Sequence, residues 1–154
     1  FIYLLEKQKM KNLLVIAVLF LSGVVFSQEN SPKATIEAFF TAFHQKDSLT
    51  LRTFCHKDIS LQTVANTKNG TQLKSDKLED FLKSIASIPN NMKIYEKLLE
   101  YKVTIDGDLA HVWTPYEFYV NDALSHIGAN SFTLVRENNK WLIVHLIDTR
   151  RKKN

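Results

Sequence analysis

The sequence predicts one α+β domain in which helices come first and a curved antiparallel sheet follows. Three observations predict it. Up to Ile85 the apolar residues recur mainly at helical spacing, whereas from Lys93 they alternate, with no βαβ crossover spacing between the two regimes. Turn pairs at Asp106-Gly107, Asn121-Asp122 and Asn138-Asn139 cut the second half into hairpins. The segment Leu124 to Val135 puts Leu124, His126, Gly128, Asn130, Phe132 and Leu134 on one face, polar at one end and apolar at the other. A flat sheet on a core would keep that face apolar throughout, so the gradient predicts a curved sheet that is covered at one end and open at the other.

The chain of 154 residues is one domain's worth, and its 45% hydrophobic and 23% charged residues are ordinary globular values. Positions 1–27 read as a signal peptide with an upstream extension. Lys7, Lys9 and Lys11 precede the apolar run Leu13 to Phe26, Ser27 offers a small residue for cleavage, and Met10-Lys11 is the natural opening. The alternative is a membrane anchor, but a spanning helix needs about 20 apolar residues and this run is interrupted at Ser22-Gly23. The expectation is an exported protein, periplasmic or secreted, whose residues 28–154 form a single domain with no membrane attachment after cleavage.

Ser31-Pro32 starts the first helix as N-cap and first helical residue, and Ile36, Phe39, Phe40 and Phe43 form its apolar stripe. Asp47 caps a shorter helix carrying Leu51, Phe54 and Cys55. Ile59 to Val64 reads as a short strand that turns at Asn69-Gly70 into Thr71 to Leu73. Ser75 is the expected N-cap of a helix carrying Leu78, Phe81, Leu82 and Ile85, stopped by Pro89-Asn90-Asn91. Lys93 to Ile105 reads as one strand, with Tyr95, Leu99, Tyr101, Val103 and Ile105 on one face. The meander Leu109 to Val120, Leu124 to Val135 and Trp141 to Asp148 completes the chain. On its last strand Trp141, Ile143 and Ile147 share one face and Leu142, Val144 and Leu146 the other, so both faces read as buried. An apolar convex face predicts a homodimer.

Charge argues against nucleic acid as a partner. Without Lys7, Lys9, Lys11 and Glu6 the net charge falls from +4 to +2, and Arg150 to Lys153 at the C-terminus hold four of the remaining cations. That tail reads as a solvated end. Cys55 is the only cysteine, so no internal disulfide is available and a buried thiol is the simplest reading. His44, His56, His111 and His145 lack ligand spacing, so no metal is expected. No cofactor is expected, and no nucleophile elbow is present.

His126 is the sharpest site candidate: imidazole exchanges protons near neutral pH, and Gly128 on the same face leaves room for a ligand. The competing reading is a histidine hydrogen-bonded at a core rim. Asp148 could orient His126 and Arg150 could hold an anion through its planar fork, or the two could form a strand-end salt bridge. Pro115 between Trp113 and Tyr116 suggests a bulge that turns Tyr116 inward as a hydrogen-bond donor; otherwise these aromatics are core.

The segments Val112 to Phe118, Ser125 to Val135 and Trp141 to Arg151, with Phe26-Ser27-Gln28 at the leader's end, make the chain resemble the nuclear transport factor 2-like (NTF2-like) superfamily. Within it the chain resembles the SnoaL-like and lumazine-binding branch of small exported bacterial proteins. The resemblance implies a cone-shaped curved antiparallel sheet with N-terminal helices packed on its concave face. Because this fold hosts enzymes, binders and assembly domains alike, function is read from the residues: a small-molecule binder without catalysis, with a flat or amphipathic ligand held by Trp113, Tyr116, Phe118, His126, Asn130 and Arg150. The alternatives are a lyase or isomerase with His126 as general base oriented by Asp148, and a structural or protein-interaction module.

Overall fold

The computed structural model describes residues 30–68 and 70–152, so the leader expected over positions 1–27 lies outside the described residues. Three helices, α1 (Pro32–His44), α2 (Ser48–Thr53) and α3 (Leu78–Ala86), pack on the concave side of a seven-stranded sheet. The strands are β1 (Cys55–Thr67), β2 (Gly70–Asp76), β3 (Ile94–Leu98), β4 (Lys102–Asp106), β5 (Leu109–Val120), β6 (Ala123–Glu137) and β7 (Lys140–Arg150). Their order is β2-β1-β7-β6-β5-β3, with β4 also on β5. Every pairing is antiparallel except β1 with β7, which makes the sheet mixed.

Local chemistry sets the element ends. The Ser31 hydroxyl accepts the Ala34 N–H at 3.1 Å, and Pro32 follows in the first turn, where its missing N–H has no helical partner to lose. Asp47 caps α2 by accepting the Thr50 N–H at 3.0 Å. Ser75 does not cap α3: it pairs with Gln62 in the β1–β2 ladder, and the N-cap position falls to Lys77, which makes no side-chain cap bond. Asn121-Asp122 and Asn138-Asn139 all adopt positive φ, between 47° and 63°, and close two-residue hairpins.

The core lies between the helical stripe and the closed end of the sheet. Ile36, Phe39 and Phe40 of α1 meet Ala110, Val112, Phe132, Leu134, Trp141 and Ile143. Phe132 is fully buried, with edge-on rings of Phe39 at 6.2 Å and Phe40 at 6.1 Å. Burying a side chain of this size contributes about 1.5–3 kcal/mol before the aromatic geometry is counted. Burial pushes the Cys55 thiol up to about 11, so it stays protonated and packs as a small apolar group.

Two irregularities change which side chains face inward. The segment Lys93 to Ile105 is two strands, because residues 99–101 leave the ladder between β3 and β4. Its inner face at the open end is the opposite of the expected one, since Ile94, Glu96 and Leu98 lie across from Val120, Phe118 and Tyr116. On β7 the register jumps from Thr133↔His145 to Leu134↔Ile143, leaving Val144 as an extra residue. Beyond that bulge the phase reverses, so Leu146 and Asp148 join the inner face while Ile147 turns outward opposite Ser131.

Candidate functional site

At the open end, five strands deliver polar side chains to one cluster. Asp148, only 8% exposed, accepts hydrogen bonds from Thr63 Oγ1 (2.5 Å), the Tyr116 hydroxyl (3.1 Å) and Arg150 Nε (2.9 Å). Asn130, 4% exposed and opposite Asp148 in the ladder, donates Nδ2 to Glu96 Oε1 at 2.7 Å. The His44 ring at the end of α1 accepts the Glu96 backbone N–H at 2.9 Å, which fixes β3 against that helix.

Burial pushes the Glu96 carboxyl up to about 7 even though the Asn130 bond favours its charged form; nearby Asp148 pushes the same way and Arg150 opposes. Glu96 therefore exchanges its proton near neutral pH. Burial, then the Arg150 charge, lower the His126 pKa against the pull of Asp148, so its ring is neutral near pH 7. Burial and Asp148 push the Tyr116 hydroxyl upward and keep it a donor.

Four members of the cluster, Glu96, Tyr116, Asp148 and Arg150, line a cavity of about 350 Å³. Phe43, Phe81, Ile85, Ile88, Ile94 and Phe118 form the apolar wall, and Glu96, Tyr116, His126, Asp148 and Arg150, with Asp76, Asp80 and Ser84, supply the polar groups. A smaller chamber of about 90 Å³ continues under Phe39 and Phe40 and reaches Asn130. The His126 ring lies 4.8 Å from the Phe118 ring and 5.8 Å from the Tyr116 ring, facing the cavity.

Tyr116, Phe118, His126, Asp148 and Arg150 thus line the larger cavity and Asn130 the smaller one. Trp113 does not join them. Its Cα neighbours Lys102 and Ser131 on the outer face, where it is 38% exposed. The reason is that Pro115 makes no bulge: β5 stays in register with β6 through Pro115↔Ala129, and strict alternation turns Tyr116 inward and Trp113 outward. Pro115 is tolerated because β3 and β4 part beside it, and Leu99 there donates to its carbonyl at 2.9 Å.

The expected pairing of His126 with Asp148 is also corrected. Asp148 is taken by Thr63, Tyr116 and Arg150, while His126 Nδ1 meets Ser125 Oγ at 3.1 Å. Nor does Gly128 leave space for a ligand. A Cβ there would lie 1.8 Å from the Thr149 carbonyl oxygen and 2.8 Å from the Tyr116 ring. The β6–β7 ladder lapses between Asn130↔Asp148 and Ile127↔Arg151, and the freed Thr149 carbonyl accepts the Tyr116 hydroxyl at 2.9 Å. The Thr149 hydroxyl accepts the Ala129 N–H in its place, at 3.1 Å.

Glu96 and Thr63 were not among the expected site residues. For Glu96 a signal existed in Ile94-x-Glu96-x-Leu98, a carboxylate flanked at strand spacing by apolar residues, hidden by treating Lys93 to Ile105 as one strand. Thr63 shows no comparable signal.

No family model matches the chain, and no curated protein matches it. Solved structures do. An NTF2-like protein from Cytophaga hutchinsonii superposes with a TM-score of 0.63 at 14% identity, over 76% of this chain and 93% of that one. One from Pseudomonas putida gives 0.61 at 13% identity, over 76% and 82%. A protein of the same family from Streptomyces avermitilis, described as a candidate dehydratase, gives 0.59 at 18% identity, over 77% and 92%. Identities this low carry architecture only. With helices on the concave face of a curved sheet and these superpositions, the chain has the NTF2-like fold.

Proposed function

We propose that the protein is an exported binder that holds a small, flat or amphipathic molecule in its cone without turning it over. The cavity of about 350 Å³ carries this reading, because apolar walls with a few convergent polar groups, at a volume within the 300–1,000 Å³ range of ligand sites, are what small-molecule pockets share. The aromatic wall suits the flat ligands that the lumazine-binding branch implies, and the leader pattern over positions 1–27 supports export. The cone is not filled by its own side chains, which weighs against a purely structural module.

A second reading is favoured by one observation. Glu96, with a pKa of about 7, faces the cavity, and a carboxyl so placed can take a proton from a bound substrate and return it. A lyase or isomerase reading would therefore rest on Glu96 as acid–base group, not on His126 with Asp148.

A native mass-spectrometric and thermal-shift screen against metabolites tests the binding reading, run on the protein and on His126→Ala and Glu96→Gln. A bound compound recovered unchanged, and held less well by His126→Ala, supports a binder. A compound chemically altered by the protein but not by Glu96→Gln would replace it with the enzyme. Compounds that stabilise the protein and His126→Ala equally would move the site out of the cone.

A further inference from the structure

We infer that the ligand is an amphipathic anion whose charged head sits in a basic cleft at the end of β7 and whose apolar body enters the cone past His126 and Arg150. This rests on the reading of the cone as a binding chamber. An open cleft of about 770 Å³ lies against that end of the sheet, with Arg150, Arg151, Lys152, Ser125 and Asn66 on its walls and no acidic residue among them. It shares His126 and Arg150 with the main cavity, so the two spaces meet across that pair.

Arg150 is built to face both. Its Nε is fixed on Asp148 at 2.9 Å, and its terminal nitrogens have no hydrogen-bond partner among the described residues. A guanidinium held by Nε presents its remaining edge as a two-pronged donor, the geometry that suits a carboxylate or a phosphate or sulfate ester. The cations beyond it are not on a loose end. Arg151 and Ile127 exchange backbone hydrogen bonds, both at 2.9 Å, which anchors this part of the tail to β6. The Arg151 and Lys152 side chains stay exposed, as expected of a solvated end, while the backbone is held.

The apolar body has one direction to go. Phe43, Phe81, Phe118 and Ile85 wall the adjoining cavity. Asp76 and Asp80, exposed carboxylates of the same lining, disfavour an anionic head beside them. Head toward β7 and body toward α3 is the orientation that satisfies both.

Calorimetric titration with three eight-carbon probes, octanoate, 1-octanol and octylammonium, tests the inference on the protein, on Arg150→Gln and on the Arg151→Gln/Lys152→Gln double variant. Octanoate is expected to bind about tenfold more tightly than 1-octanol, to lose about tenfold on Arg150→Gln, and to weaken with salt and in the double variant. If Arg150→Gln fails to fold because Asp148 loses its partner, Arg150→Lys and the double variant carry the comparison. Octanol equal to or tighter than octanoate would overturn the anionic head and leave the cone reading standing. Octylammonium as the tightest probe would overturn it in favour of a cation held at Asp76 and Asp80. Absence of binding by all three would overturn the inference and the cone reading together.

Discussion

Replacing Glu96 with glutamine should change how stability depends on pH, in a direction the structure fixes. The folded carboxyl holds its proton up to about 7, whereas its ordinary value is 4.5. Between those values the folded state binds more protons than the unfolded chain, so this group makes the protein less stable as pH rises, and the loss is complete above the folded value. At about 1.36 kcal/mol per unit the interval is worth about 3 kcal/mol at pH 8, about 0.8 kcal/mol at pH 5 and little at pH 4. Glutamine keeps the oxygen that accepts the Asn130 bond at 2.7 Å and cannot ionise, so it removes only the pH-dependent part. His44 and His126, both lowered mainly by burial, act in the opposite sense, adding stability as pH rises toward 6.5. They are present in both proteins and cancel in the difference. Urea unfolding at pH 4, 5, 6, 7 and 8 should show Glu96→Gln level with the parent at pH 4 and about 3 kcal/mol more stable at pH 8. A difference that stays flat across the series would refute a carboxyl held neutral by burial.

Gly128→Ala should destabilise by more than about 3 kcal/mol in thermal or urea unfolding, because its Cβ meets the Thr149 carbonyl at 1.8 Å and backbone must move. Tyr116→Phe removes the hydroxyl that donates to Asp148 and to the Thr149 carbonyl, and should cost about 1–3 kcal/mol by the same measurement. We further propose that the outer sheet face pairs two copies of the chain, since it leaves Trp113 38% exposed and Leu109 51% exposed. Sedimentation velocity at micromolar concentration should then show a dimer that Trp113→Asp turns into monomer; a parent that already sediments as a monomer would end that proposal.

Much of this architecture is legible in the sequence because it follows from local rules. The stripe Ile36, Phe39, Phe40 is helical spacing, the Ser31 cap is side-chain chemistry, and the asparagine turn pairs are the residues that accept positive φ. The inner face of β6 is legible too, since no bulge interrupts its alternation from His126 to Leu134. What was missed turns on register, which distant partners set. The extra residue at Val144 reverses the phase of β7, moving Leu146 and Asp148 inward and Ile147 outward, and no local feature of Trp141 to Asp148 announces it. The break at residues 99–101 forms because β3 and β4 take successive stretches of β5, and it decides that Glu96 faces the cavity. Gly128 reads in the sequence as room for a ligand, but that space is taken by Tyr116 and Thr149, a contact across three strands that local spacing does not show.

The cone interior is where the proposed guest resides. Nuclear Overhauser contacts between bound octanoate and the protein's aromatic and imidazole protons measure this directly. The structure predicts contacts from the alkyl chain to the rings of Phe118, Phe43 and His126, which border one cavity. Contacts confined to Trp113 and its neighbours on the outer face would contradict it.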